Sequence, residues 1–320
     1  MVTRLYGPAG LEGIAALTDL AEPALEPATV HAQAHRLASI EVLFTGWGCP
    51  PIDSTLLAAA PRLRAIFFAG GTIRPTITPA VWARGITVAG AYGANAVPVS
   101  EYTLATILFS LKRGWHYLAH QHRTGTYPAP VVACPGAFGT TVGIVSLGAI
   151  GRLVCARLQS FDLTILAYDP LVAPAEAARL GVTLVGLEEL FQRSDVVSLH
   201  APHLPGTEGL VTGELLRQLR PGATLINTAR GAIVREAELA AVLARRSDLT
   251  AVLDVLQHEP PDPANPLLRL PNVMLTPHIA GALGPECLRL GRLMVDECRR
   301  WLGGESLQWQ ITSEQSRLLA

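Results

Sequence analysis

The sequence predicts an α/β fold built from two doubly wound parallel sheets, and three observations carry that prediction. Short apolar or β-branched runs alternate with amphipathic stretches, the pattern of a parallel sheet with helices on both faces. The 320 residues give length for two domains, at ~100–200 residues each. Hydrophobic residues make up 49% of the chain and charged residues 16%, which suits strands buried on both faces and excludes a disordered chain.

The elements follow in order. The amino terminus, MVTRLYGPAGLEG, lacks the continuous apolar core of a signal peptide. The stretch from Ala21 to Ala28, with two prolines, reads as a loop or linker. EVLF at 41–44, AIFF at 65–68 and ITVA at 86–89 read as the strands of the first sheet. A helix-like stretch from Ser100 to Arg113 and a Gly-, Pro- and His-rich passage through Pro135 and Gly136 then lead into a new strand, VGIV at 142–145. That passage divides the two sheets. LTILAY at 163–168, DVVSLH at 195–200, TLIN at 224–227, TAVLDV at 250–255 and VMLT at 273–276 complete the second sheet. A final helix-like stretch runs from about Pro285 to Leu302.

Composition excludes several classes of function. Basic and acidic residues number 25 and 26, so no positive field points to nucleic acid or an anionic membrane as a partner. No window approaches the ~18 uninterrupted apolar residues of a membrane span. The five cysteines, Cys49, Cys134, Cys155, Cys287 and Cys298, are scattered and odd in number, which fits a reducing cytoplasm. His116 and His120 share a helical face with His122 nearby, but no cysteine or carboxylate completes a metal cluster. An exposed or dimer-facing histidine patch is expected there, and no metal.

The segment from Val142 to Gly151 turns from a strand into the helix-like RLVCARLQSF, and a following strand ends at Tyr168-Asp169. This is a Gly-x-Gly-x-x-Gly dinucleotide fingerprint of the Rossmann type with Ser146 in the first position. Gly148 allows close approach of a pyrophosphate and Gly151 close packing of helix on sheet. A serine Cβ at the tight turn is expected to strain the backbone or loosen the cofactor. Asp169 lies 23 residues beyond Ser146, near the ~20-residue spacing of the carboxylate that binds the adenosine ribose. It would repel a 2′-phosphate, so the cofactor expected is NAD rather than NADP.

Three further residues each stand just after an apolar run: Arg230 in Thr228-Ala229-Arg230-Gly231, Glu259 in His258-Glu259-Pro260, and His278 in Pro277-His278-Ile279-Ala280-Gly281. Residues past the carboxyl ends of parallel strands line the ligand crevice, so the three are expected to converge. Arginine's planar fork grips a carboxylate through two parallel hydrogen bonds. Histidine delivers a proton near neutral pH, and a neighbouring carboxylate favours its charged form.

In these motifs the chain resembles the D-isomer-specific 2-hydroxyacid dehydrogenases, which include 3-phosphoglycerate dehydrogenases and hydroxypyruvate or glyoxylate reductases. The resemblance runs from about Ile40 to about Trp301. It is most specific from Val142 to Asp169, in INTARGAIVREAELAAVL from Ile226 to Leu243, and in HEP and TPHIAG. It implies a discontinuous flavodoxin-like substrate domain, residues 1–101 with 285–320, and a Rossmann NAD-binding domain, residues 102–284. It also implies that Arg230 binds the substrate carboxylate and carbonyl, that Glu259 pairs with His278, and that His278 is the acid/base. Ala149 and Ile150 join Gly148 and Gly151 at the pyrophosphate turn. The resemblance also places Thr228, Ala229 and Arg230 near the nicotinamide, Asp254 on its carboxamide, and His278 through Gly281 beside the reactive ring. His200, Pro202 and Thr207 match the loop along the cofactor.

For the substrate, the loop Ala69-Gly70-Gly71-Thr72 offers small residues whose backbone N–H groups approach a carboxylate. Many relatives continue this loop as Asp-Asn-Ile-Asp, whereas here Ile73-Arg74-Pro75 intervene. Arg74 either meets a distal anion or pairs with solvent, and Trp47 is either a wall of the cleft or structural. Glu101, in Asn95 to Glu101 at the entry to the interdomain helix, reads as structural.

The function expected is NAD(H)-dependent interconversion of a D-2-hydroxy acid and its 2-oxo acid by a cytoplasmic homodimer, with domain closure excluding water and residues His116 to Pro130 in the dimer contact. The same fold also serves NAD(H)-sensing corepressors, which is the non-enzymatic alternative. Formate dehydrogenases place glutamine where Glu259 stands, and phosphite dehydrogenases keep a lysine in the first-domain glycine loop, where Phe67 to Arg74 has none. No extra regulatory domain is expected after residue 320, and so no control by an appended amino-acid-binding module.

Overall fold

A computed structural model describes residues 2–127 and 134–318. Eleven strands occur among them: β1 Val42–Gly46, β2 Ala65–Ala69, β3 Thr87–Gly90, β4 Thr141–Val145, β5 Thr164–Tyr168, β6 Thr183–Leu184, β7 Val196–Leu199, β8 Thr224–Asn227, β9 Thr250–Leu253, β10 Val273–Leu275 and β11 Gln310–Ile311. They form two sheets in two compact units. One unit takes the residues up to Ala96 and from Ala282 onward, and the other takes Val97–Gly281. The family resemblance implies boundaries at 101/102 and 284/285. The first falls inside a continuous helix, Tyr92–Leu111, where no change of pattern marks it.

In the smaller unit β1, β2 and β3 run parallel in chain order, and β11 joins β3 antiparallel. A flavodoxin order begins 2-1-3. This sheet, over the described residues, runs 1-2-3 and closes with an antiparallel edge, so it departs from that order while keeping helices on both faces. Alternation along β2 builds both cores. Ala65, Phe67 and Ala69 pack with Leu5, Ile14, Leu290 and Met294 on one face, and Ile66 and Phe68 pack with Leu56, Leu57 and Val81 on the other. The long C-terminal helix, Cys287–Leu302, approaches the chain closely at Gly291, where a Cβ would lie 2.1 Å from the Leu5 carbonyl oxygen.

The larger unit carries a seven-stranded sheet, all parallel, in the order β10-β9-β8-β7-β4-β5-β6. The direction of travel reverses between β4 and β7, the switch point beside which dinucleotides bind in this class of sheet. Strands β7, β8 and β9 are buried along their whole length, which is why they read as unbroken apolar runs. The registers also align the strand ends: Tyr168, Val145, Leu199, Asn227, Leu253 and Leu275 are successive partners across the sheet. The residues that follow them therefore share the sheet's carboxyl edge.

Four elements differ from the sequence pattern. Strands β6 and β11 are two residues each, too short to show a period. The helix expected from Ser100 begins at Tyr92 and contains Pro98, a residue that usually marks a helix start rather than an interior. The C-terminal helix begins at Cys287 after a single 3₁₀ turn, Gly284–Glu286. No helix among the described residues is long and apolar enough to cross a membrane.

Candidate active site

The residues just past the aligned strand ends are Asp169, Ser146, His200, Thr228, Asp254 and Thr276, and the candidate chemistry is built on this row. Arg230 stands two residues beyond Thr228. Its turn is tied by Asn227, almost wholly buried, whose Oδ1 accepts from Ala229 N at 3.0 Å and whose Nδ2 donates to Arg230 O at 2.9 Å. The Arg230 guanidinium donates to Ala229 O at 2.6 Å. Burial lowers its pKa from the usual arginine value, and the charge of Glu259 partly offsets that. The guanidinium thus stands in the field of the Glu259 carboxylate.

Glu259 is held by its own loop. Its Oε1 accepts from Leu256 N at 3.0 Å, and Gln257 N donates to Glu236. Gly231 lets this loop reach the Arg230 turn, because a Cβ there would lie 2.0 Å from the Leu256 carbonyl carbon. The other Glu259 oxygen, Oε2, lies 2.7 Å from Nδ1 of His278, so Nε2 is the histidine nitrogen left for a substrate. The His278 side chain is 50% exposed.

The His278 backbone is left-handed, with φ 55°. A non-glycine residue pays for that conformation, and the surrounding bonds determine it. Its N–H donates to Asp254 O at 2.9 Å and Thr276 O at 3.0 Å. Asp254, 2% exposed, accepts from Thr276 Oγ1 at 2.6 Å, Ile279 N at 2.8 Å and Ala280 N at 2.9 Å. Asp254 therefore organises the histidine turn in addition to any contact with a ligand. The sequence pattern did not single out Thr276 or Asn227, both polar residues hidden at the ends of apolar runs.

Around the glycine turn, Ser146 has φ 79°, the left-handed geometry a glycine would adopt freely. Asp169 braces this turn. Its Oδ2 accepts from Leu147 N at 2.7 Å and faces Ser146 Oγ at 3.4 Å, and its Oδ1 accepts from Leu171 N at 2.9 Å. Gly151 is required sterically, since a Cβ would lie 2.1 Å from Ser146 O. A Cβ on Gly148 would meet nothing nearer than Ser146 Oγ, at 3.9 Å. Open space thus fronts the start of the helix Ala149–Leu158, which begins with Ala149 and Ile150. A bare backbone cradle with an acidic residue at the adjacent strand end fits a dinucleotide with an unmodified ribose.

His200 is buried, with Nε2 3.0 Å from Ser198 Oγ. Thr207 Oγ1 donates to Pro202 O and accepts from Leu204 N at 2.9 Å, which folds the 202–207 loop on itself. Thr228 and Ala229 are buried, and Gly281 ends this unit beyond the His278 turn. Glu101 pairs with Arg157 at 3.1 Å. No group of three or more His, Cys, Asp or Glu among the described residues is arranged to hold a metal ion.

Gly70, Gly71, Thr72 and Arg74 lie in the smaller unit, just past the end of β2. Both glycines are packed tightly: a Cβ on Gly70 would lie 2.4 Å from Phe68 and 3.0 Å from Trp47 Nε1, and one on Gly71 2.7 Å from Asn95 Nδ2. Trp47 packs against the core of that unit. Arg74 is exposed and donates to Arg317 O at 2.9 Å, an engagement with the chain's own C-terminal segment that the sequence did not suggest.

Residues 105–280 match the family described as D-isomer specific 2-hydroxyacid dehydrogenase, NAD binding domain. The chain belongs to this family. It is 37% identical over 253 residues to an (S)-sulfolactate dehydrogenase of Chromohalobacter salexigens, covering 79% of this chain and 82% of that protein. It is 36% identical over 254 residues to a D-3-phosphoglycerate dehydrogenase of Mycobacterium bovis, covering 79% of this chain and 48% of the other. The chain therefore spans about half the length of the D-3-phosphoglycerate dehydrogenases it matches. Among solved structures, D-mandelate dehydrogenase of Rhodotorula graminis superposes with a TM-score of 0.77 at 26% identity, over 90% of this chain and 89% of that one. The larger unit is thus the family's NAD-binding domain, and NAD is the cofactor.

Proposed function

We propose that the protein interconverts a D-2-hydroxy acid and its 2-oxo acid with NAD(H), and that Arg230, Glu259 and His278 carry the chemistry. The observation that supports this most directly is the 2.7 Å pair between Glu259 Oε2 and His278 Nδ1, with Arg230 within the field of the same carboxylate. Arg230 binds the substrate carboxylate in bidentate fashion and polarises the neighbouring carbonyl. His278, oriented through Nδ1, places Nε2 to give a proton to the carbonyl oxygen in reduction and to take it back in oxidation. Glu259 stabilises the imidazolium that exists before that proton is given.

Gly148 to Gly151 would hold the pyrophosphate and Asp169 the ribose, with the loop of His200, Pro202 and Thr207 alongside. Thr228, Ala229, Asp254 and Gly281 would serve the nicotinamide end. When bound, the nicotinamide supplies hydride exchange at C2. For Gly70, Gly71, Thr72 and Arg74, the role of substrate contacts is proposed from the sequence pattern alone.

A cytoplasmic homodimer belongs to the same proposal. All five cysteines are free, and the helix Gly114–Thr124 buries none of its residues while Leu118 on it stands exposed. Pro128 to Pro130, part of the expected dimer contact, lie outside the described residues.

The test is NADH oxidation against glyoxylate, hydroxypyruvate, phenylpyruvate, 2-oxoglutarate, 3-phosphohydroxypyruvate and 3-sulfopyruvate. Turnover of at least one acid, lost in Arg230→Ala, is expected. NADH binding with no turnover of any would favour the NAD(H)-sensing role instead.

A further inference from the structure

We propose that two adjacent residues of the helix Tyr92–Leu111, Tyr102 and Thr103, are positioning residues that hold the two catalytic turns in place, Tyr102 acting on His278 through Thr276 and Asp254, and Thr103 acting on Arg230 through Thr228. This rests on the catalytic reading given above.

The bond directions follow from proton counting. Tyr102 Oη lies 2.9 Å from Thr276 Oγ1, and Thr276 Oγ1 lies 2.6 Å from Asp254 Oδ1. An ionised carboxylate only accepts, and a threonine hydroxyl has one proton. Thr276 therefore gives its proton to Asp254, and Tyr102 must give its own to Thr276. Burial raises the tyrosine pKa, and the Asp254 charge pushes it the same way, so the hydroxyl stays protonated as the donor. Each bond of the chain ends at the turn: Asp254 accepts from Ile279 N and Ala280 N through its carboxylate and from His278 N through its carbonyl. Withdrawing Tyr102 leaves Thr276 Oγ1 without its donor and loosens the carboxylate that fixes the left-handed histidine.

The second arm is independent. Thr103 Oγ1 and Thr228 Oγ1 are both buried and lie 3.2 Å apart. Thr228 opens the turn that Asn227 ties and that leads into Arg230. Successive residues on one helix thus reach the carboxyl ends of β10 and β8, with Asp254 at the end of β9 between them.

The two arms predict different kinetic signatures. Tyr102→Phe should lower kcat roughly ten- to hundredfold, the scale expected for a misplaced catalytic group, with KM for the oxo acid unchanged. Thr276→Ser should retain kcat. Thr276→Val should lose it, and adding Tyr102→Phe to that variant should cost nothing more, because both changes break one chain. Thr103→Val should raise KM for the oxo acid with kcat largely kept, and Thr103→Ser should restore it.

Arg230→Ala and His278→Ala are measured in the same assay. If they abolish turnover while Tyr102→Phe and Thr103→Val change only thermal stability, the catalytic reading stands and the positioning role is refuted. If Arg230→Ala and His278→Ala turn over normally, the catalytic reading falls and the proposal with it. Should Thr276→Val fail to fold, Tyr102→Phe and Thr103→Val decide alone.

Discussion

A left-handed backbone at a histidine is sustained only when something fixes it, and at His278 the fixing group is the buried carboxylate of Asp254. The ring is then held at one nitrogen by Glu259 and has no partner at the other among the described residues. His278→Ala should lower kcat by ~10²–10⁴-fold, the range for losing a general acid, while NADH binds as before. Wild-type turnover in that variant would remove the mechanism. Asp169 braces the glycine turn through Leu147 N, and the proposed function gives it a second duty, presenting a negative charge to the ribose. Asp169→Ala should therefore narrow the preference for NADH over NADPH and also weaken NADH itself. Equal wild-type efficiency with the two cofactors would count against this assignment.

At the scale of elements, two glycines of similar appearance in the sequence do different work. A Cβ on Gly231 would lie 2.0 Å from the Leu256 backbone, whereas one on Gly148 would meet nothing within 3.8 Å, the nearest atom being Ser146 Oγ at 3.9 Å. Gly231→Ala should cost ~1–3 kcal/mol of stability, as overpacking does, and should lower kcat by displacing the Glu259 loop. Gly148→Ala should melt with the wild type yet bind NADH more weakly, because its Cβ fills the space in front of the helix. A matched loss of stability in both would refute the distinction, with melting curves and NADH titration as the readouts. The strand ends that carry these turns were legible in the sequence because β7, β8 and β9 are buried on both faces and so read as unbroken apolar runs. The two-residue β6 and β11 were not, since no period can show in so short a segment. The start of the helix at Tyr92 was masked by Pro98. Tyr102 and Thr276 stand 174 positions apart, and no local pattern links two such common residues. Arg230, Glu259 and His278 could be singled out because each is a chemically distinctive residue in the loop after a strand, whereas the groups that hold them are ordinary threonines, asparagine and tyrosine.

Over the whole chain 25 basic residues nearly balance 26 acidic ones, so acid sensitivity near neutrality is set by individual buried groups rather than by self-repulsion. His200 is the clearest case. Its ring is buried at the end of β7, Nδ1 has no hydrogen-bond partner among the described residues, and burial depresses its pKa from 6.5 to about 3. The unfolded chain binds a proton below pH 6.5 that the folded chain refuses until about pH 3. The folded value lies below the unfolded one, so the contribution to stability is complete above pH 6.5 and is lost as pH falls toward 3. Between pH 6.5 and 4.5 this single group should remove about 2–3 kcal/mol, at ~1.36 kcal/mol per pH unit. His200→Gln cannot take up that proton, so its unfolding free energy should fall less steeply over the same interval, by about one proton's worth of slope. Carboxylates titrate in both proteins and cancel in the difference. The comparison is made by urea denaturation without added cofactor, because a ligand bound only to the folded state adds its own stabilisation. Parallel pH profiles for the two proteins would show that His200 protonates in the folded chain as readily as in the unfolded one, and would overturn the assignment of a buried neutral imidazole at the sheet's carboxyl edge.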